Sequence, residues 1–101
     1  GYGWPAARWK TDMLVLPADL TRGQASACLQ MLVQSMAAVT DKDVVVDAGA
    51  LVRFDSSALA VLLELRRECR AQGKSLRIQA LPESLHDLAT VYGIEELLSP
   101  A

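Results

Sequence analysis

The chain has 101 residues, 51% of them hydrophobic and 22% charged, with a net charge of −2 and a pI near 5.2. That length and balance lead us to expect one small folded domain over 1–101, and they exclude a disordered chain. The slight acidic surplus argues against a nucleic-acid binder, which concentrates basic residues on one face. No stretch reaches the ~18 apolar residues a membrane span needs, so direct membrane insertion is not expected.

The opening GYGWPAARWK lacks Met and a long apolar core. It does not read as a signal peptide, and residues 1–5 are expected to be disordered or introduced by cloning. Residues 6–10 and 13–17 read as two short strands, with Pro17 at the rim of the second. Thr21 and Gln24 stand in the T-x-x-Q spacing of a capping box. Cys28, Leu29, Leu32, Val33 and Met36 then recur at helical spacing, which predicts a helix over 22–38.

Val44-Val45-Val46 is a short β-branched run, the pattern of a strand covered on both faces. A helix is predicted over 56–72, stopped by Gly73. Residues 75–80 alternate with period two and read as the next strand. Pro82 suits the first turn of another helix running through Leu85, Leu88, Ala89 and Tyr92 to Gly93. Residues 94–98 allow one more short turn. The order is β-β-α-β-α-β-α-α. It implies an α/β fold with a mixed central sheet of about four strands, helices packed on it, and an antiparallel or mixed edge made by the first two strands. Functional groups in such sheets gather beyond the C-terminal strand ends, where Asp47 and residues 48–57 fall. Cys28 and Cys69, each inside a helical pattern, read as reduced core cysteines.

Asp55, Ser56 and Ser57 open the second long helix. All three types serve as caps, yet one helix needs one cap. A phosphate on either serine would meet the free amides of the helix start and place about −1.5 to −2 of charge beside Asp55. Along the helix, Ala58, Leu62, Leu65 and Cys69 fall on one line and should face the sheet, while Leu59 and Leu63 lie off to one side with Arg66 and Arg70 beyond them. That second strip is either an exposed protein contact edged by arginine or a surface covered by the C-terminal helices.

Enzyme readings lack parts. The single histidine, His86, sits on the last main helix; there is no G-x-S-x-G elbow, no Walker A loop and no G-x-G-x-x-G. Asp47, Asp55 and Glu64 do not compel a metal site, because Asp47 fits a strand-end cap and Glu64 a solvated face. No cofactor and no catalytic residue are expected.

The strand Val44–Asp47, the loop, and the helix opening Phe54-Asp55-Ser56-Ser57-Ala58-Leu59 resemble the STAS domain family, named for sulfate transporters and anti-sigma factor antagonists. The ending Leu88-Ala89-x-x-Tyr92-Gly93-Ile94 strengthens the resemblance, which covers residues 10–98. Two branches are implied. In the antagonist branch the phosphoacceptor would be Ser57, the partner an anti-sigma factor kinase; Ala58 departs from the glycine usual there. In the MlaB-type branch, the STAS subunit of a phospholipid-transporting ABC complex, the important hydroxyl would be Ser56. The chain resembles this second branch more. The resemblance then implies a cytoplasmic, non-enzymatic subunit at the inner membrane that binds a transporter ATPase subunit and, through it, the permease. Its contact surface would comprise Asp55, Ser56, Ser57, Leu59, Leu63 and Arg66, with Asp55 as orienting cap, Ser56 as central polar contact and Ser57 as a supporting or phosphorylatable hydroxyl.

Overall fold

The computed structural model describes residues 13–98. Strands β1 (Met13–Val15), β3 (Asp43–Asp47) and β5 (Ser75–Gln79) form a parallel sheet in the order β1-β3-β5, and β2 (Asp19–Leu20) pairs in parallel with β4 (Arg53–Phe54). The helices among the described residues are α1 (Arg22–Ala38), α2 (Ser56–Ala71), α3 (Glu83–Val91) and the short α4 (Glu95–Leu98).

Strands β1, β3 and β5 step across the sheet in one direction. Right-handed crossovers then put α1 and α2 on the same face, and the two helices pack on each other and on the sheet. Val44 and Val46 point into that layer and are fully buried, flanked by buried Leu14 and Ile78 in register with Val46. Val45 points the other way and is half-buried, so the expectation of a strand enclosed on both faces holds on the helix side only. The described strands pair only in parallel. The strand expected at 6–10, and with it the antiparallel or mixed edge, lies outside the described residues.

The periodic elements fall where their patterns put them. Helix α1 spans 22–38, with buried Cys28, Leu32 and Met36 on its inner face. Gln24 reaches back to accept from the Thr21 amide at 3.0 Å, as the capping-box spacing requires. Ala58, Leu62, Leu65 and Cys69 of α2 are completely buried, the line predicted to face the sheet. Both cysteines are free and buried, and burial pushes both thiols up.

Two helices end in the same way. After α2, Gly73 takes φ +73°, its amide donates to Arg70 O at 3.1 Å, and the Lys74 amide donates to Cys69 O at 2.8 Å. After α3, Gly93 repeats the arrangement at φ +73°, with Gly93 N to Thr90 O at 3.0 Å and Ile94 N to Ala89 O at 2.9 Å. These are Schellman motifs, in which a left-handed residue lets the chain reverse and satisfies the last carbonyls. Lys74, delivered by the first of them, donates through Nζ to Met36 O at 2.9 Å and to Val39 O, which caps the far end of α1 with a positive charge. Nothing crowds a side chain at position 73. Gly73→Ala is therefore expected to cost only the backbone penalty, about 1 kcal/mol net, read as a lower urea midpoint with an unchanged slope.

Candidate functional site

The short β2–β4 pair was not expected; residues 48–57 read as loop. Its effect is positional. Strand β2 runs directly into α1 and β4 directly into α2, so pairing Asp19 with Arg53 and Leu20 with Phe54 sets the two helix starts side by side. Val52 N and Arg53 N both donate to Ala18 O, at 2.8 and 2.9 Å, and extend the clamp. An exposed Arg53–Asp19 ion pair at 3.9 Å adds little.

Asp55 closes this corner. Its Oδ1 accepts from the Ser57 amide at 2.8 Å, and its Oδ2 accepts from the Arg22 amide at 3.2 Å. One carboxylate thus caps the first turns of two helices at once, where both dipoles favour negative charge. The Ser57 amide contributes most to holding Asp55 below the ordinary carboxyl range. Desolvation opposes it, and the Arg22 amide, the Ser57 hydroxyl and the Arg22 charge reinforce it. Because the folded value lies below the unfolded one, the stabilisation is complete above about pH 3.9, the ordinary carboxyl value, and disappears as pH falls through the folded value. Asp55→Asn is expected to flatten the loss of stability as pH falls below about 4, measured by urea unfolding at each pH. An unchanged slope would show that the carboxylate does not cap these helices.

The orienting role expected of Asp55 is therefore present. Ser56, the next residue, is exposed, while Ser57 is half-buried with its hydroxyl turned toward Asp55. Asp47 fills the strand-end role: its Oδ1 accepts from the Gly49 amide at 2.8 Å. A side chain at Gly49 would come within 3.0 Å of that oxygen and 3.3 Å of Ala80 Cβ, so the 48–52 loop sits tightly against the end of β5. Ala80 itself adopts φ 60°, an uncommon left-handed position for a residue with a Cβ. His86 is exposed on α3.

The apolar strip beside the serines divides. Leu59 is only 3% exposed and belongs to the core, because α3 and α4 pack against this side of α2. A charge at Leu59 would break the fold rather than report on an interface. Leu63 and Arg66 are half-buried. What remains open is a groove of about 400 Å³ lined by Ser56, Leu59, Ala60 and Leu63 on one wall and Tyr92 and Ile94 on the other. Ala60, Tyr92 and Ile94 were missed by sequence reasoning. Ala60 was legible one turn after Ser56; Tyr92 was placed in the buried stripe of its helix but caps it instead, 58% exposed. The Schellman turn at Gly93 is what aims Ile94 back toward α2.

Among the described residues no helix is long and apolar enough to cross a membrane. An exposed hydroxyl at a rigid helix start, opening onto an apolar groove, is suited to recognising another protein surface.

Solved structures share this architecture. An anti-sigma-factor antagonist (STAS) domain protein from Planctomyces limnophilus is similar with a TM-score of 0.71 at 16% identity, over 88% of this chain and 82% of that one. The STAS domain of a SulP transporter from Vibrio cholerae is similar with a TM-score of 0.62 at 12% identity, over 87% and 69%. At these identities the likeness shows the α/β STAS fold. No curated protein matches the sequence significantly. A family model described as "Mlab, STAS domain" matches residues 6–99, nearly the whole chain, and the chain belongs to that STAS family.

Proposed function

We propose that the chain is a non-enzymatic adaptor that binds the ATPase subunit of a bacterial inner-membrane ABC transporter, one that moves phospholipid and maintains outer-membrane lipid asymmetry. It would work from the cytoplasmic side, held at the membrane through that subunit and its permease, and needs no cofactor. The observation that carries this reading is the exposed Ser56 at a doubly capped helix start, contiguous with an apolar groove, in a chain of the Mlab-type STAS family. Asp55 fixes the direction in which α2 begins, Ser56 supplies the polar contact, and Leu63 with Tyr92 and Ile94 supplies apolar area. Such a subunit acts by binding one state of the ATPase more tightly than others, which raises the population of that state.

Co-expression with the ABC ATPase of the same host tests the reading. Purification through a tag on the ATPase is expected to retain the chain and to yield more assembled transporter than the ATPase alone. No co-elution, with equal assembly in its absence, would contradict it.

One observation favours a second reading, a phosphorylation-controlled switch of the antagonist type. The Ser57 hydroxyl lies beside the Asp55 carboxylate at the convergence of two helix starts, so a phosphate there would add charge against Asp55 and uncouple the cap. An anti-sigma factor kinase would then be the partner. Peptide fragmentation mass spectrometry of the chain from its native host distinguishes the two readings: a phosphate located on Ser57 supports the switch.

A further inference from the structure

Ser56, Ala60, Leu63, Arg67 and Arg70 follow one another at intervals of four, three, four and three residues. At about 100° per residue they form a single line along α2. Ser56, Ala60, Arg67 and Arg70 are exposed and Leu63 is half-buried. The line begins with two small residues, passes through the groove beside Tyr92 and Ile94, and ends in guanidinium groups. From Ser56 to Arg70 it is about 21 Å long at 1.5 Å per residue. Arg67 reaches Glu64 at 3.6 Å, but 81% of its side chain is exposed, so it is still presented to a partner.

Resting on the adaptor reading, the geometry points to the occupant of this line: one amphipathic helix of the ATPase subunit. Its aliphatic residues lie between α2 and Tyr92, and its acidic residues lie about two turns further along, opposite Arg67 and Arg70. The small Ser56 and Ala60 allow its backbone to approach closely at one end. The charge order sets its direction: apolar residues at the groove, carboxylates at the C-terminal end of α2, where the exposed Arg67 and Arg70 would repel a basic surface. Shape disfavours a second copy of this chain, because two identical grooves meet concave to concave. An acyl chain would remain half in water along an open groove.

Two variants of the chain, Tyr92→p-benzoylphenylalanine and Arg70→p-benzoylphenylalanine, in complex with the ATPase subunit, test this by photo-crosslinking and peptide mapping. Both are expected to capture one helical segment of the ATPase, at points about seven residues apart, with Asp or Glu at the Arg70 end. The double variant Arg67→Glu/Arg70→Glu is expected to weaken binding about tenfold, and Lys at the captured acidic positions to restore it. Capture of separate ATPase segments, of a second copy of the chain, or only of co-purified lipid would overturn the helix while the adaptor reading stands. Failure of the unlabelled chain to bind the ATPase at all would overturn both.

Discussion

Ser56→Trp is expected to weaken binding to the transporter ATPase about a hundredfold while the isolated chain keeps its melting transition. The two halves of that expectation have separate causes. Ser56 occupies the first helical position of α2 and is exposed, so an indole there meets solvent rather than the core. The cap is unaffected, because it is made by Asp55 onto the amides of Ser57 and Arg22. In the complex, however, the indole fills the mouth of the groove that Ser56 and Ala60 leave open. Ser56→Ala separates bulk from polarity. It keeps the space and removes the hydroxyl, so it is expected to lose about tenfold or less, the value of one hydrogen bond. Isothermal titration of both variants against the same ATPase preparation reads the difference. Equal affinity for Ser56→Trp and the unsubstituted chain would remove this corner from the interface.

The largest loss of stability is expected at the centre of α2. Leu62 is completely buried on the line that meets the sheet, among Ala58, Leu65 and Cys69. Leu62→Ala removes apolar contacts and leaves a cavity between two layers that are both pinned, the sheet by its ladder and α2 by its cap and its Schellman end. Such a site relaxes little, and the expected cost is about 3 kcal/mol. In a domain of this size that lowers Tm by roughly 15 °C and removes a large share of a stability on the order of 5–10 kcal/mol. Val91→Ala, at a position 80% exposed, is the control and is expected to stay within about 0.5 kcal/mol. Calorimetry of the two proteins checks the contrast.

What the sequence made legible follows from how each feature is encoded. Helices α1 and α2 are written as long apolar periods with stops, and both were readable to within a residue. So was the line of α2 that faces the sheet, since a wheel needs only spacing. The β2–β4 pair was not readable, because two residues carry no period and the pairing joins positions 34 residues apart. That pair is what brings Arg22 to Asp55, so the double cap was hidden with it. The serine corner was legible as a concentration of capping residues beyond what one helix start uses. The groove was only half legible: its α2 wall follows from the wheel, whereas Tyr92 and Ile94 arrive through a chain reversal at Gly93. The same reversal decides Leu59, which the wheel left either on an exposed contact or under the C-terminal helices, and which α3 and α4 bury.

Exposed apolar side chains concentrate on the same side of the sequence as the groove. Val91, Tyr92 and Leu97 are all large and exposed within seven residues. The capped helix start fixes where Ser56 is presented, and the C-terminal helices leave apolar area open beside it. If this corner docks a partner as proposed, its helix starts are already held by the Asp55 hydrogen bonds, so binding would require little ordering of this chain.

Hydrogen–deuterium exchange of the chain, alone and with the ATPase subunit, tests the docking claim most directly. Slower exchange is predicted in peptides spanning 48–60 and 91–97, with the outer face of β5 unchanged. Protection confined to other segments, with 48–60 and 91–97 exchanging as in the free chain, would contradict it.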